Sequence, residues 1–226
     1  MAEKHERKTW TVLDESIAED LEFLRKQAAG DVEIVGRSQD DKRWLVVYLR
    51  SDAPGHTYIY DRAQRKATFL FSSQASLDAL PLLPMWPRTI KARDGLELVT
   101  YLTLPKDTDA DKDGRPERAA PLVLFVHGGP WARDSWGYHP YHQWLASRGY
   151  AVLSVNFRGS TGFGKAFVNA ADKEWAGKMH DDLIDAVQWA VAQGVAKPEE
   201  VAIFGGSYGG YSTLVGLTFT TKTFAC

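Results

Sequence analysis

The sequence predicts an α/β fold, a parallel wound sheet preceded by a small antiparallel β segment. The runs "PLVLFVH", "YAVLSVN" and "VAIFG" are almost continuously apolar, as strands buried on both faces must be. Between them lie stretches with apolar residues three and four apart, so strands alternate with helices. Upstream, short runs of strand texture are divided by turn residues.

Asp14–Ala29 reads as a helix. Ile17, Leu21, Leu24 and Ala28 share one face, Asp14 can cap the start and Gly30 can end it. "DVEIVGR", "RWLVVYLR", "HTYIYDR" and "KATFLFS" follow as strands, separated by "SQDDK", "SDAPG" and "RAQR". Four strands in about 45 residues is the length of one propeller blade, and no second copy is evident. Residues 1–80 are therefore expected to form a helix plus one blade-like sheet. Pro81, Pro84 and Pro87 mark 81–88 as a linker.

Residues 89–226 carry the wound texture. "TIKARDGLELVTYLTLP" predicts two strands around a turn at Asp94-Gly95. Helices are expected over Tyr141–Arg148, Met179–Ala192 and Ser207–Leu217, with Gly149 and Gly194 closing the first two. Asp181 and Asp182 suit the positive end of the second.

The bulk properties are those of an ordinary soluble chain: 226 residues, 44% hydrophobic and 25% charged. A net charge of −2 gives no reason to expect nucleic acid or an anionic membrane as partner. "MAEKHERKTW" has no apolar signal region, and no run of about 18 apolar residues occurs, so a cytoplasmic location is expected. The single cysteine, Cys226, excludes an internal disulfide.

The chemistry concentrates in two glycine-rich turns. Gly205-Gly206-Ser207-Tyr208-Gly209 satisfies G-x-S-x-G with a buried strand before it and a helix after it, the setting of a nucleophilic serine. "VHGGPWARD" closes another buried strand on two glycines, leaving backbone N–H groups to face a ligand. Acyl transfer needs two such donors. Tyr208, directly after the serine, should supply one, and Gly128 or Gly129 the other.

Taken together, "HGGPWARDSWGY", "NFRGSTGFGKAF" and "GGSYGGYSTL" resemble the prolyl oligopeptidase family of serine peptidases, with the acylaminoacyl-peptidase-like and dipeptidyl-peptidase-like branches nearest. The resemblance runs from about Thr89 to Cys226 and implies a β-propeller joined to an α/β-hydrolase domain that cleaves short peptides. It implies Ser207 as nucleophile, Tyr208, Gly128 and Gly129 as the oxyanion hole, and Asn156 and Arg158 close by in support. His127, beside the glycine turn, is grouped with these supporting residues. No cofactor and no metal are implied.

In that family the carboxylate and then the histidine of the triad follow the serine. Here "YGGYSTLVGLTFTTKTFAC" follows, with no Asp, Glu or His. The chain therefore reads as an incomplete peptidase, holding the N-terminal half of the hydrolase sheet, with the strand before Ser207 left as an open apolar edge. Losing the base costs about 10⁶ in kcat in a comparable peptidase, so the chain alone is expected to be nearly inactive. His127 oriented by Asp181 or Asp182 is the upstream substitute to weigh, although a histidine there more often packs beneath the turn. His139, His142 and His180 read as surface or packing residues. A missing C-terminal half or a second copy are the protein partners this reading allows. Its alternatives are a non-catalytic interaction module and an esterase-type hydrolase.

Two further motifs are weaker. "DTDADKDGRPER" imitates a calcium loop, but Ala120 stands where the bidentate glutamate belongs and Pro116 interrupts, so a solvated acidic loop is expected. "GSTGFG" lacks dinucleotide spacing and reads as a flexible loop near the site.

Overall fold

In the computed structural model, which describes residues 2–4 as backbone and 6–226 in full, the upstream strands pair in the order of their sequence. A short hairpin, β1 (Ala2–Lys4) with β2 (Lys8–Trp10), comes first. Helix α1 (Ala18–Gln27) follows, and β3 (Asp31–Arg37), β4 (Arg43–Leu49), β5 (His56–Asp61) and β6 (Lys66–Ser72) form an antiparallel sheet. Alternation puts Trp44, Val46 and Tyr48 of β4 on the buried face, clustered with Leu24 of α1. Polar tips find partners there: the Tyr48 hydroxyl donates to Leu24 O (2.8 Å) and that of Tyr60 to Asp20 Oδ1 (2.7 Å). The α-helix is shorter than its apolar spacing suggests. Residues 15–17 are a 3-10 turn in which Asp14 accepts from the Ser16 N–H, and the chain is already extended at Ala28.

The sheet just described lies in one compact unit, residues 1–82 with 137–139; the second unit spans 83–136 and 140–226. It contains β7 (Met85–Lys91), β8 (Glu97–Thr103), β9 (Leu122–Val126), α2 (Pro140–Ala146), β10 (Ala151–Val155), α3 (Lys165–Asn169), α4 (Lys178–Ala192), β11 (Val201–Gly205) and α5 (Tyr208–Phe219). Its strand order is β11-β9-β10-β8-β7. β9, β10 and β11 are parallel, whereas β8 runs antiparallel to both β10 and β7. The fold is α/β, but the sheet is mixed rather than wholly parallel.

The proline-rich segment is not all linker. From Met85 it is strand, with Pro87 opposite Tyr101. β7 lies at the sheet edge, where the N–H that proline lacks is not required. Leu153 and Val155 of β10 belong to the same core as Leu183, Ala186 and Val187 of α4, while Ser154 between them turns to His142 of α2. Helices thus cover both faces. The outer edge of β11 is not left open either. Val201 O accepts from Ala225 N (2.8 Å) and Ile203 N donates to Cys226 O (3.0 Å), so the last residues run along it. Among the described residues no helix is long and apolar enough to cross a membrane.

Candidate active site

Between the end of β11 and the start of α5 the chain reverses at Ser207, whose φ of 55° and ψ of −120° are strained for any residue with a Cβ. The turn is tight because it abuts the end of β9. A Cβ on Gly205 would stand 2.6 Å from Val126 O, and one on Gly209 would stand 2.1 Å from the same oxygen. Glycine two residues either side of the serine is therefore a steric condition of the turn. Ser207 itself is exposed. Tyr208 opens α5, so its N–H belongs to the first turn, whose donors have no intrahelical acceptor.

The glycine turn after β9 lies against this serine. A Cβ on Gly128 would be 3.3 Å from Ser207 Cβ and 3.8 Å from its Oγ. Next to it, Gly129 has a φ of 126°, and a Cβ there would meet Trp131 N at 2.7 Å.

His127 is buried under this turn. Its Nδ1 lies 2.7 Å from Gly128 O, its Nε2 lies 2.9 Å from Ser160 Oγ, and its ring stacks on Phe157 with centroids 4.5 Å apart. A carbonyl only accepts, so Nδ1 carries the proton. Burial draws the imidazole pKa below its ordinary value. Both nitrogens of His127 are thus engaged, and neither bonds Ser207 or the Asp181 and Asp182 carboxylates. In a planar trans peptide the C=O and N–H point in opposite directions, so holding Gly128 O also aims the Gly129 N–H.

Arg158 and Asn156 are both buried. The Arg158 guanidinium meets Asp182 through Nε (2.9 Å) and Nη2 (2.6 Å), and Asp94 at 2.9 and 3.1 Å. Hydrogen bonding to Asp182 holds the Arg158 pKa above its ordinary value, and Arg158 in turn holds Asp94 below. Asp182 is therefore the tie between α4 and the loop after β10, and its role is not that of a solvated helix-end charge. Asp181 pairs with Arg93 (3.0 Å), away from His127. Asn156 accepts from Asp134 N (2.9 Å) and donates to Val99 O (3.1 Å). His142 lies between Thr103 Oγ1 and Ser154 Oγ, and His180 bonds Thr220 Oγ1; both are buried.

Two buried groups went unnoticed in the sequence. Ser160, in the glycine-rich "GSTGFG" segment, is wholly buried rather than part of a loose loop. Asp134 is buried, its Oδ2 has no hydrogen-bond partner among the described residues, and burial pushes its pKa up to about 7. No residue type or spacing announces either one. In the calcium-like loop the carboxylates of Asp109, Asp111 and Asp113 gather within 4.8 Å. Asp109 is buried, accepting from Gly114 N (3.1 Å) and Trp86 Nε1 (3.0 Å), so it folds the loop instead of facing solvent.

The chain is similar to known proteins. The family model described as "Prolyl oligopeptidase family" matches residues 136–226. These residues resemble the prolyl oligopeptidase family. Dipeptidyl aminopeptidase BIII of Pseudoxanthomonas mexicana is 60% identical over 220 residues, covering 97% of this chain and 32% of the relative. Dipeptidyl peptidase family member 6 of Caenorhabditis elegans is 44% identical over 230 residues, covering 95% and 31%. Among solved structures, a puromycin-hydrolyzing peptidase of Mycobacterium tuberculosis is similar with a TM-score of 0.67 and 28% identity, over 78% of this chain and 27% of that one. The chain spans about a third of the length of the curated relatives it matches.

Proposed function

We propose that Ser207 is the nucleophile of a serine peptidase, attacking the carbonyl of a short peptide to form an acyl-enzyme. The amides of Tyr208 and of the Gly128–Gly129 turn would take the developing oxyanion, each such donor being worth about 2.7–4 kcal/mol in the transition state. The observation that carries this reading is the Ser207 backbone, held at φ 55° and ψ −120° beside Gly128. Backbone strain of this kind persists only where the surrounding structure imposes it, and it clusters at active sites. The 60% identical relative favours dipeptidyl aminopeptidase chemistry. Both ring nitrogens of His127 and of His142 are engaged away from Ser207, and the proton acceptor is proposed to lie outside these 226 residues. On that reading these 226 residues alone hydrolyse very slowly.

The test joins this chain to the remaining C-terminal part of the Pseudoxanthomonas relative and treats the fusion with a fluorophosphonate probe. The expected result is labelling at Ser207 and release of dipeptides, both abolished by Ser207→Ala. Equal labelling of the Ser207→Ala fusion refutes the assignment.

A further inference from the structure

We propose that Ser160 is a positioning residue, anchoring the outer end of the His127 ring so that the inner end holds Gly128 O and thereby aims the Gly129 N–H. The inference rests on the Ser207 reading only for its catalytic consequence.

The hydrogen bonds leave one consistent assignment for neutral His127. Gly128 O takes the Nδ1 proton, so Nε2 is bare and needs a donor. Ser160 Oγ lies 2.9 Å from it. That hydroxyl has a second acceptor in reach, Phe157 O at 2.7 Å, but Phe157 O already receives the Ser160 backbone N–H at 3.0 Å. Phe157 O is thus satisfied without the hydroxyl, whereas buried Nε2 has no other donor, and the proton is better placed on the side of His127. Stacking on Phe157 fixes the plane of the ring but leaves a half-turn about χ2, which would exchange each nitrogen with a carbon. Hydrogen bonds at Nδ1 and Nε2 select one of the two orientations, and Ser160 supplies one of them. The Ser160 turn is itself held firmly. Asp182 accepts from the Arg158 backbone N–H (2.8 Å) as well as from its guanidinium, and Gly159 N donates to Phe167 O (3.0 Å). Phe157 and Ser160 are both wholly buried, so no solvent replaces a lost partner.

The experiment measures imidazole nitrogen and Gly129 amide NMR signals in the full chain, for wild type and for Ser160→Ala, Ser160→Thr and Ser160→Val. Thr and Val are matched in shape, so any fault of packing is common to both and only the hydroxyl separates them. Wild type should show the proton on Nδ1 and a hydrogen-bonded Nε2 acceptor. In Ala and Val the Nε2 signal should move to that of a free acceptor and the Gly129 amide should shift, while Thr keeps both near wild type. In the fusion described above, Ala and Val should slow fluorophosphonate labelling by about 10-fold or more, up to the 10²–10³ of a lost oxyanion donor, with KM for peptide little changed. A wild-type proton on Nε2, or a Gly129 amide that ignores Ala and Val, overturns the proposal. NMR changes as expected in a fusion that never labels leave the Ser160 anchor standing and sink the Ser207 nucleophile instead.

Discussion

Asp134→Asn should stabilise the protein at neutral and alkaline pH while changing almost nothing in acid. The carboxyl is buried, one of its oxygens has no hydrogen-bond partner among the described residues, and its pKa rises from 3.8 to about 7, chiefly through burial. Arg133 acts in the opposite direction and is outweighed. Between those two values the folded state keeps a proton that the unfolded chain has already released. Stability therefore falls as pH rises through this window and levels off above about 7. At 1.36 kcal/mol for each pKa unit the full loss is about 4 kcal/mol. Asparagine is nearly isosteric and cannot ionise, so its advantage should be near zero at pH 4 and approach that figure at pH 8. With an m-value of about 2 kcal/mol/M, the urea midpoint should differ by roughly 2 M. Urea unfolding followed by tryptophan fluorescence at both pH values measures it. Parallel pH dependence of wild type and variant would refute the claim that burial holds this proton.

Ser207→Gly removes the Cβ from a strained backbone and should raise unfolding stability by about 1–3 kcal/mol, measured by urea unfolding, while abolishing probe labelling of the fusion. Gly209→Ala drives a methyl into Val126 O and should leave little soluble folded protein, assessed by expression and circular dichroism. Arg158→Leu strands Asp182 without its partner in a wholly buried position and should cost about 3–5 kcal/mol in unfolding free energy.

Much of this was legible because burial and periodicity are local properties. The apolar run "VAIFG" is β11 residue for residue, and the glycines of G-x-S-x-G report the closeness of a neighbouring strand that the sequence does not identify. Pairing is not local. The Asp94-Gly95 turn announced the strand from Thr89, but nothing in "MWPR" says that it begins at Met85 on a sheet edge, so three prolines outweighed a strand that needs no N–H at Pro87. The same limit hid the partners of Arg158, one 24 residues downstream in α4 and one 64 residues upstream in the β7–β8 turn. Asp182 accordingly looked like a helix-end charge. His127 could be placed beside the glycine turn, but which way its ring faces depends on Ser160, 33 residues on.

What stands opposite Gly209 is the carbonyl oxygen of Val126, part of the main chain of β9. A crowded side chain can be trimmed by a compensating substitution, but a main-chain oxygen cannot. No second-site change of residue type can make room there without dislodging β9 from its neighbours. Drift at this position is closed to the protein in a way that drift in its apolar core, where volumes can be traded between neighbours, is not.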